Sequence, residues 1–171
     1  KYGDTMFTIK NIHVAKDFSG KYDLLVVGAQ DGENKVPAKS SFSALSNQSM
    51  QLTLKSEKKF GSDKKRVVIY NDGSIKKISF YGYKEGSSPD ETRCLGSEIT
   101  SYANLNKVKN IAIDAKSFSV SSKNLQAFVE GLVLGSYEFL DYKPKSRGHL
   151  LTRVTLIGDI DKKILLKAQI L

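Results

Sequence analysis

Apolar residues alternate or run together in short stretches along most of this chain, a pattern typical of β-strands. Phe7, Ile9 and Ile12 predict an opening strand within residues 5–14, at a sheet edge. Residues 23–29 form a continuous apolar run, which is typical of a central strand buried on both faces. The same reasoning predicts further strands at residues 50–54, 108–115 and 150–157.

A β-hairpin is predicted where two strand-like segments flank a polar turn. Residues 66–70 and 75–81 are rich in β-branched and aromatic side chains, and residues 71–74 separate them. The dipeptide Asp72-Gly73 supplies the positive φ angles that a tight hairpin turn requires.

A first long helix is predicted to begin at Ser88-Pro89-Asp90-Glu91. Ser88 suits the N-cap, Pro89 suits the first helical position, and Glu91 completes a capping box. Apolar residues at helical spacing then carry the helix for about four turns, to near Asn106.

A second helix is predicted from Ser121 or Ser122 to Pro144, with an apolar stripe that includes Phe139 and Leu140. Two glycines, Gly131 and Gly135, lie one turn apart on it. A glycine costs a helix about 1 kcal/mol relative to alanine, so we expect a sheet or a second helix to approach closely there.

The remaining segments complete an α/β chain. Residues 159–171 show helical spacing, residues 40–48 predict a short helix, and residues 30–40 and 55–65 predict loops. Strands interleaved with helices, together with one hairpin, predict a mixed β-sheet flanked by helices in three layers.

Composition indicates a single ordinary globular domain. The 171 residues are 40% hydrophobic and 26% charged, which is outside the range of disordered chains. No run of 18 apolar residues occurs, so we expect no membrane contact. The one cysteine, Cys94, cannot form an internal disulfide, so we expect a cytoplasmic protein. We interpret Cys94 itself as a small apolar residue on a helix face.

The net charge of +9 leaves two interpretations open. The lysines are spread along the chain, and the densest clusters are Lys55, Lys58, Lys59 and Lys64, Lys65, Arg66. A solvated loop explains them, and a surface that attracts nucleic acid is the alternative.

Candidate catalytic and metal-binding residues are scattered. His13 and His149 have no partner at metal-ligand spacing, and no recognised hydrolase or phosphate-loop motif is present. Residues 82–86 precede a helix and could in principle face a phosphate, but Pro89 removes a donor there. We interpret three carboxylates, Asp23, Asp114 and Glu130, as structural. We therefore predict no catalytic, cofactor-binding or metal-binding residue.

Residues 130–143 resemble the helix signature near the end of the N-terminal domain of leucyl aminopeptidases, the cytosol aminopeptidase family. That pattern is Glu-Gly, two residues, Leu-Gly, then Tyr-x-Phe-x-x-Tyr-Lys. The matching residues are Glu130, Gly131, Leu134, Gly135, Tyr137, Phe139, Tyr142 and Lys143. A departure lies at residues 80–84, where the family usually carries two glycines flanking one residue before the lysine.

The family's metal-binding and catalytic signatures have no counterpart in this sequence. The resemblance therefore implies the N-terminal domain alone, with a macro-domain-like fold. It assigns residues 1–158 to that domain and 159–171 to the start of a connector helix. The full enzyme would be a homo-hexamer whose separate catalytic domain uses two divalent ions, zinc or manganese, to remove N-terminal residues from peptides. The N-terminal domain would then serve assembly and substrate access.

The chain begins at Lys1 rather than Met and stops within a predicted helix at Leu171, so we expect a piece of a longer protein. Two alternatives to the aminopeptidase assignment stay open. The first is a macro-like module that binds nucleotides, but the sequence lacks the glycine-rich phosphate loop that such a module needs. Binding of nucleic acid by the scattered lysines is the second, and it is compatible with the aminopeptidase assignment.

Overall fold

The computed structural model describes residues 5–7, 9, 11–30, 66–70, 75, 77–84, 86–118, 121–139 and 151–168. The predicted loops, short helix and strand between residues 31 and 65 lie outside this part. So do the hairpin turn at residues 71–74, His149 and the last three residues.

A mixed sheet of six strands forms the centre of the described residues, in the order β2-β8-β6-β3-β5-β4. Neighbouring strands are parallel except at the β5–β4 pair, which is antiparallel. This confirms the predicted mixed α/β sheet. The strands are β2 (Asn11–Ala15), β3 (Leu24–Gln30), β4 (Arg66–Tyr70), β5 (Lys77–Tyr83), β6 (Asn110–Asp114) and β8 (Arg153–Ile157).

The predicted opening strand is two strands with different partners. The first, β1 (Thr5–Phe7), pairs antiparallel with β7 (Tyr137–Phe139) in a separate two-stranded sheet, whereas β2 pairs with β8. Alternation along residues 5–14 indicates an extended chain but carries no information about its partner, so the division could not be read from it.

Strand β3 is the buried central strand that its apolar run predicts. It lies between β5 and β6, and its residues from Leu24 to Val27 have no exposed surface. The predicted antiparallel pairing of the two hairpin strands is also confirmed, because Tyr70 pairs with Lys77 and Arg66 with Tyr81. Strand β5 begins later than predicted, since Ile75 instead bridges Tyr22 beside β3.

The first helix, α1 (Pro89–Leu105), begins with the predicted capping box. The Ser88 hydroxyl accepts a bond from the Glu91 N–H at 3.2 Å, and the Glu91 carboxylate accepts one from the Ser88 N–H at 2.8 Å. These reciprocal bonds satisfy two backbone donors that would otherwise lack partners, which fixes the start of α1.

The end of α1 carries a lysine where glycine is usual. Lys107 has a φ of 56°, and its N–H donates to the Asn104 carbonyl at 3.1 Å. The Val108 N–H donates to the Ala103 carbonyl at 2.9 Å, which completes a Schellman motif. A left-handed conformation costs an ordinary residue about 1–2 kcal/mol, so lysine is an unfavourable choice at this position.

The second helix, α2 (Ser122–Gly135), is shorter than predicted. The expectation that it continues to Pro144, with Phe139 on its apolar stripe, is wrong because β7 begins at Tyr137. The Ser136 hydroxyl donates to the Val133 carbonyl at 2.6 Å, and the following residues pair with β1. Pairing with a distant strand overrides local helical spacing, which the sequence pattern does not reveal.

Helices α1, α2 and α3 (Lys162–Ala168) pack against one face of the sheet. Their buried side chains include Ile99, Phe128 and Leu165, which meet Val26 of β3 and others in one cluster. The opposite face is buried as well, with Leu25, Val27 and Phe80 fully enclosed. No helix in the described ranges has the length and apolar character needed to span a membrane.

Candidate functional site

Three residues of the family resemblance, Glu130, Gly131 and Gly135, lie where α2 packs against α1. A Cβ atom on Gly131 would overlap the Arg93 carbonyl oxygen, and one on Gly96 would overlap the Phe128 carbonyl oxygen. A Cβ on Gly135 would lie 2.7 Å from the Ser97 carbonyl oxygen. The expected close approach is therefore confirmed, and it is to a second helix rather than to the sheet.

Glu130 joins the two helices through Arg93. Its Oε2 accepts bonds from the Arg93 Nε at 3.1 Å and from the Arg93 Nη2 at 2.9 Å. Its Oε1 accepts a bond from the Gln126 side chain at 2.9 Å, while Asp90 also pairs with Arg93. The hydrogen bond from Gln126, and after it those from Arg93, hold the pKa of Glu130 below its ordinary value despite partial burial.

Replacing Glu130 with glutamine should remove a pH-dependent part of the stability. Because the pKa of Glu130 is lower in the folded chain, its stabilisation is present above the unfolded pKa, near pH 4, and is lost as pH falls through the folded pKa. Wild type should therefore exceed E130Q in urea midpoint at pH 7, and the difference should shrink below about pH 4. As a control, Asp159→Asn removes an exposed carboxylate and should leave the urea midpoint close to that of wild type at either pH. A difference in urea midpoint between wild type and E130Q that stays the same at pH 7 and below about pH 4 would contradict the prediction.

The carboxyl ends of β3 and β6 are closed by a short 3₁₀ helix, Ala115–Phe118. The Ser117 hydroxyl accepts a bond from the Gly28 N–H at 2.6 Å and donates to the Asp114 carbonyl at 2.6 Å. The Phe118 ring covers Gly28 on the helix side of the sheet. Ligands of open α/β sheets usually bind outside the carboxyl ends of the strands, and here the Gly28 N–H is engaged internally.

The candidates of the sequence that the structure describes remain separate in space. His13 is exposed on β2, and Asp23 accepts a bond from the Asn110 N–H at 3.2 Å. Cys94 lies on helix α1, as expected, and its side chain is exposed. Within the described ranges no His, Cys, Asp and Glu side chains come together in a group that could hold a metal ion.

The turn before α1 has its own internal bonds. Gly86 has a φ of 75° and is exposed, and the Ser87 hydroxyl donates to the Lys84 carbonyl at 2.6 Å. The Asn124 side chain donates to the Ser87 carbonyl at 2.8 Å, which ties the turn to α2. Gly82 and Tyr83 are the last residues of β5, so the turn begins later than predicted, and these bonds support a strand-to-helix turn after Tyr83.

A group of basic residues at the amino-terminal end of the sheet is not recognisable from the sequence. Lys21, Lys109 and Arg153 stand just before or at the start of three neighbouring strands. Their proximity could have been found only with the strand order, because they are far apart in sequence.

Comparison with protein families identifies the domain. Residues 26–146 match the sequence model described as "Cytosol aminopeptidase family, N-terminal domain". The chain belongs to this family. The match spans β3, both glycine-bearing helices and the signature beginning at Glu130, so the cytosol aminopeptidase resemblance is confirmed by most of the chain.

Solved structures show the same fold at low sequence identity. A tomato leucine aminopeptidase mutant aligns with a TM-score of 0.69 and 21% identity over 94% of this chain and 36% of that one. The bottromycin maturation enzyme BotP in complex with Mn aligns with a TM-score of 0.57 and 16% identity, over 86% of this chain and 29% of that one. The cytosol aminopeptidase domain thus spans about a third of the tomato enzyme.

A macrodomain shares the fold as well. The Trypanosoma brucei macrodomain in complex with ADP aligns with a TM-score of 0.67 and 12% identity, over 92% of this chain and 67% of that one. This confirms the predicted macro-domain-like architecture. A search of curated proteins finds no significant match to the sequence.

Proposed function

We propose that this chain is the non-catalytic N-terminal domain of a two-metal leucyl aminopeptidase. In that enzyme a separate C-terminal domain would remove N-terminal residues from peptides, and this domain would contribute to assembly and substrate access. The observation that carries the proposal is the family match over residues 26–146, together with coverage of only 36% of the tomato enzyme.

The hydrogen bonds of the described residues support a structural role for two of the candidate carboxylates, Glu130 and Asp23. Glu130 is bonded to Arg93 and Gln126, and Asp23 accepts a backbone N–H. Both carboxylates therefore already hold internal partners. The two divalent ions, zinc or manganese, belong in this proposal to the C-terminal domain, and no step is assigned to a residue of this chain.

The remaining parts of the proposal concern assembly and location. We place the parent enzyme in the cytoplasm as a homo-hexamer, with residues 1–158 as the domain and 159–171 as the start of a connector helix. Support for a cytoplasmic setting comes from the family name and from the single cysteine. Helix α3, at the start of the proposed connector, packs against α2 within the same core, so the connector would begin on the body of this domain.

The purified 171-residue chain should not hydrolyse leucine p-nitroanilide, with or without added Mn²⁺ or Zn²⁺, because we assign all catalytic groups to the other domain. Release of nitroaniline measured at 405 nm tests this, with a complete leucine aminopeptidase as the positive control. Metal-dependent hydrolysis by this chain alone would overturn the division of roles.

The same preparation distinguishes the nucleotide-binding alternative. Because Ser117 engages the Gly28 N–H and Phe118 covers that glycine, we expect no heat of binding when ADP-ribose is titrated into the chain. Stoichiometric binding would instead favour a nucleotide module built on the same fold.

A further inference from the structure

Two buried side-chain oxygens on neighbouring strands have no hydrogen-bond partner among the residues that the structure describes. They are Oδ1 of Asn110, on β6, and Oγ1 of Thr155, on β8. Neither atom is open to solvent, and Thr155 as a whole is 3% exposed. Because a buried polar atom without a partner destabilises the folded state, two of them on neighbouring strands call for a reason other than stability.

The strand register places these two residues on one face of the sheet. Asn110 pairs with Arg153, and Ala112 pairs with Thr155. Ala112 belongs to the apolar cluster on the face opposite the helices, and side chains alternate between the two faces along a strand. Asn110, Arg153 and Thr155 therefore share that face, and Asn110 and Thr155 are diagonal neighbours whose side chains start roughly 7 Å apart.

Groups of opposite charge lie on either side of Asn110. Leu24 faces the helices, so Asp23, one residue earlier, faces the other way. The half-buried Asp23 carboxylate accepts the Asn110 N–H at 3.2 Å and keeps the capacity for further bonds. On the other side, the Arg153 side chain is exposed and forms no ion pair with a residue that the structure describes. We refer to Asp23, Asn110, Arg153 and Thr155 as the second-face site.

The chemistry of the second-face site fits a ligand that carries both charges. A simple anion would meet the Asp23 carboxylate and the Asn110 Oδ1, which only accept hydrogen bonds. A simple cation would meet the Arg153 guanidinium, which only donates them. The acceptors and the guanidinium belong to neighbouring strands, about 4.8 Å apart, so the two charged groups of the ligand must lie close together. An α-amino acid meets this requirement, because its ammonium and carboxylate groups are attached to the same carbon atom.

We propose that the second-face site binds a free α-amino acid. The ammonium group donates to the Asp23 carboxylate and to the Asn110 Oδ1, and the carboxylate accepts bonds from the Arg153 guanidinium and the Thr155 hydroxyl. Both oxygens without partners are satisfied in this arrangement. Free amino acids are the products of the parent enzyme in the proposed function, so a role of this site in sensing product rests on that function, whereas the binding itself does not.

The segment between β2 and β3, residues 16–23, runs over this face of the sheet. Tyr22 packs in the same cluster as Ala112, and the Lys21 carbonyl accepts a bond from the Asn110 Nδ2 at 2.9 Å. Since the two oxygens without partners are shielded from solvent, the Lys21 end of this segment has to move when an amino acid enters. We therefore expect leucine to change amide hydrogen exchange around Lys21, measured by mass spectrometry, and unchanged exchange there at saturating leucine would overturn the site.

Isothermal titration calorimetry with L-leucine tests the proposal on the full 171-residue chain. One molecule per chain should bind with a Kd of about 0.1–1 mM, which suits a ligand of this size. Leucinamide lacks the carboxylate and 4-methylpentanoate lacks the ammonium group, so each should bind at least about tenfold more weakly. No saturable binding of leucine would overturn the proposal. Equal binding of either analogue would also overturn it, because the site would then recognise only one of the two charges.

Two substitutions that each remove one positive charge locate the site. Arg153→Gln should lower the affinity for leucine at least about tenfold, because the carboxylate loses its charged partner. Lys116→Gln is the control, since Lys116 is exposed in the 3₁₀ helix at the opposite end of the sheet, and the affinity should stay within about twofold of wild type. Equal losses would show attraction by net charge alone and would overturn the assignment of the site.

Thr155→Val separates binding from folding. Valine keeps the branched shape and removes a buried hydroxyl that has no partner, so the urea midpoint should rise while the affinity for leucine falls about tenfold. A lower urea midpoint would show that the hydroxyl is already bonded in the free chain and would overturn the proposal, as would full affinity for leucine in this variant. These tests are independent of peptidase activity, so their failure leaves the proposed function unchanged.

Discussion

Gly131→Ala is expected to destabilise the domain by about 3 kcal/mol, although alanine favours helix by about 1 kcal/mol over glycine. The added Cβ would overlap the Arg93 carbonyl oxygen, which belongs to the backbone of α1 and cannot rotate away. The helices would have to separate, which would weaken the 2.9 Å bond from the Thr100 hydroxyl to the Leu132 carbonyl. Urea unfolding followed by circular dichroism measures the loss.

A matched substitution on the same helix separates this effect from helix propensity. Lys123 is exposed near the start of α2, so Lys123→Ala should change the unfolding free energy by no more than about 0.5 kcal/mol. If Gly131→Ala instead stabilised the chain by the propensity difference, the close packing of α1 and α2 would be wrong.

Phe118→Ala should cost about 3–5 kcal/mol, the usual range for a buried phenylalanine. Phe118 is 2% exposed, and its ring centroid lies 5.6 Å from those of both Tyr83 and Phe128. The substitution removes the side chain that joins the carboxyl end of the sheet to α2. The same urea titration measures it, with the exposed Leu166→Ala as a control that should remain near wild type.

A double-mutant cycle tests the contact between Phe118 and Gly28. A Cβ on Gly28 would lie 2.8 Å from the Phe118 ring and 3.0 Å from the Ser117 carbonyl oxygen, so Gly28→Ala should destabilise wild type by about 1–3 kcal/mol. In the Phe118→Ala background the ring is absent, and the second substitution should cost clearly less. Strict additivity would mean that the two residues do not meet.

The family signature at residues 130–135 acquires a physical meaning from these contacts. Glu130 bonds to Arg93 across the helix pair, and the two glycines let the backbones of α1 and α2 approach. The matched pattern thus describes a helix–helix contact.

Local chemistry in the sequence was enough to predict several elements correctly. The apolar run at residues 23–29 predicted the buried centre of the sheet, and the capping box at Ser88 predicted the start of α1. The pairing of β4 with β5 and the resemblance at Glu130 were likewise confirmed. Each of these depends on burial, capping or motif spacing within one short segment.

Features that depend on partners distant in the chain were decided only by the tertiary structure. Residues 137–139 leave the predicted helix because β1 supplies backbone partners, and the opening strand divides because its halves pair with different strands. Lys21, Lys109 and Arg153 lie at one end of the sheet only because β3, β6 and β8 are neighbours in it. The sequence by itself determined the family, the mixed sheet and the starts of α1 and α2. Strand order and the length of α2 follow from long-range pairing, which hydrophobic periodicity cannot encode.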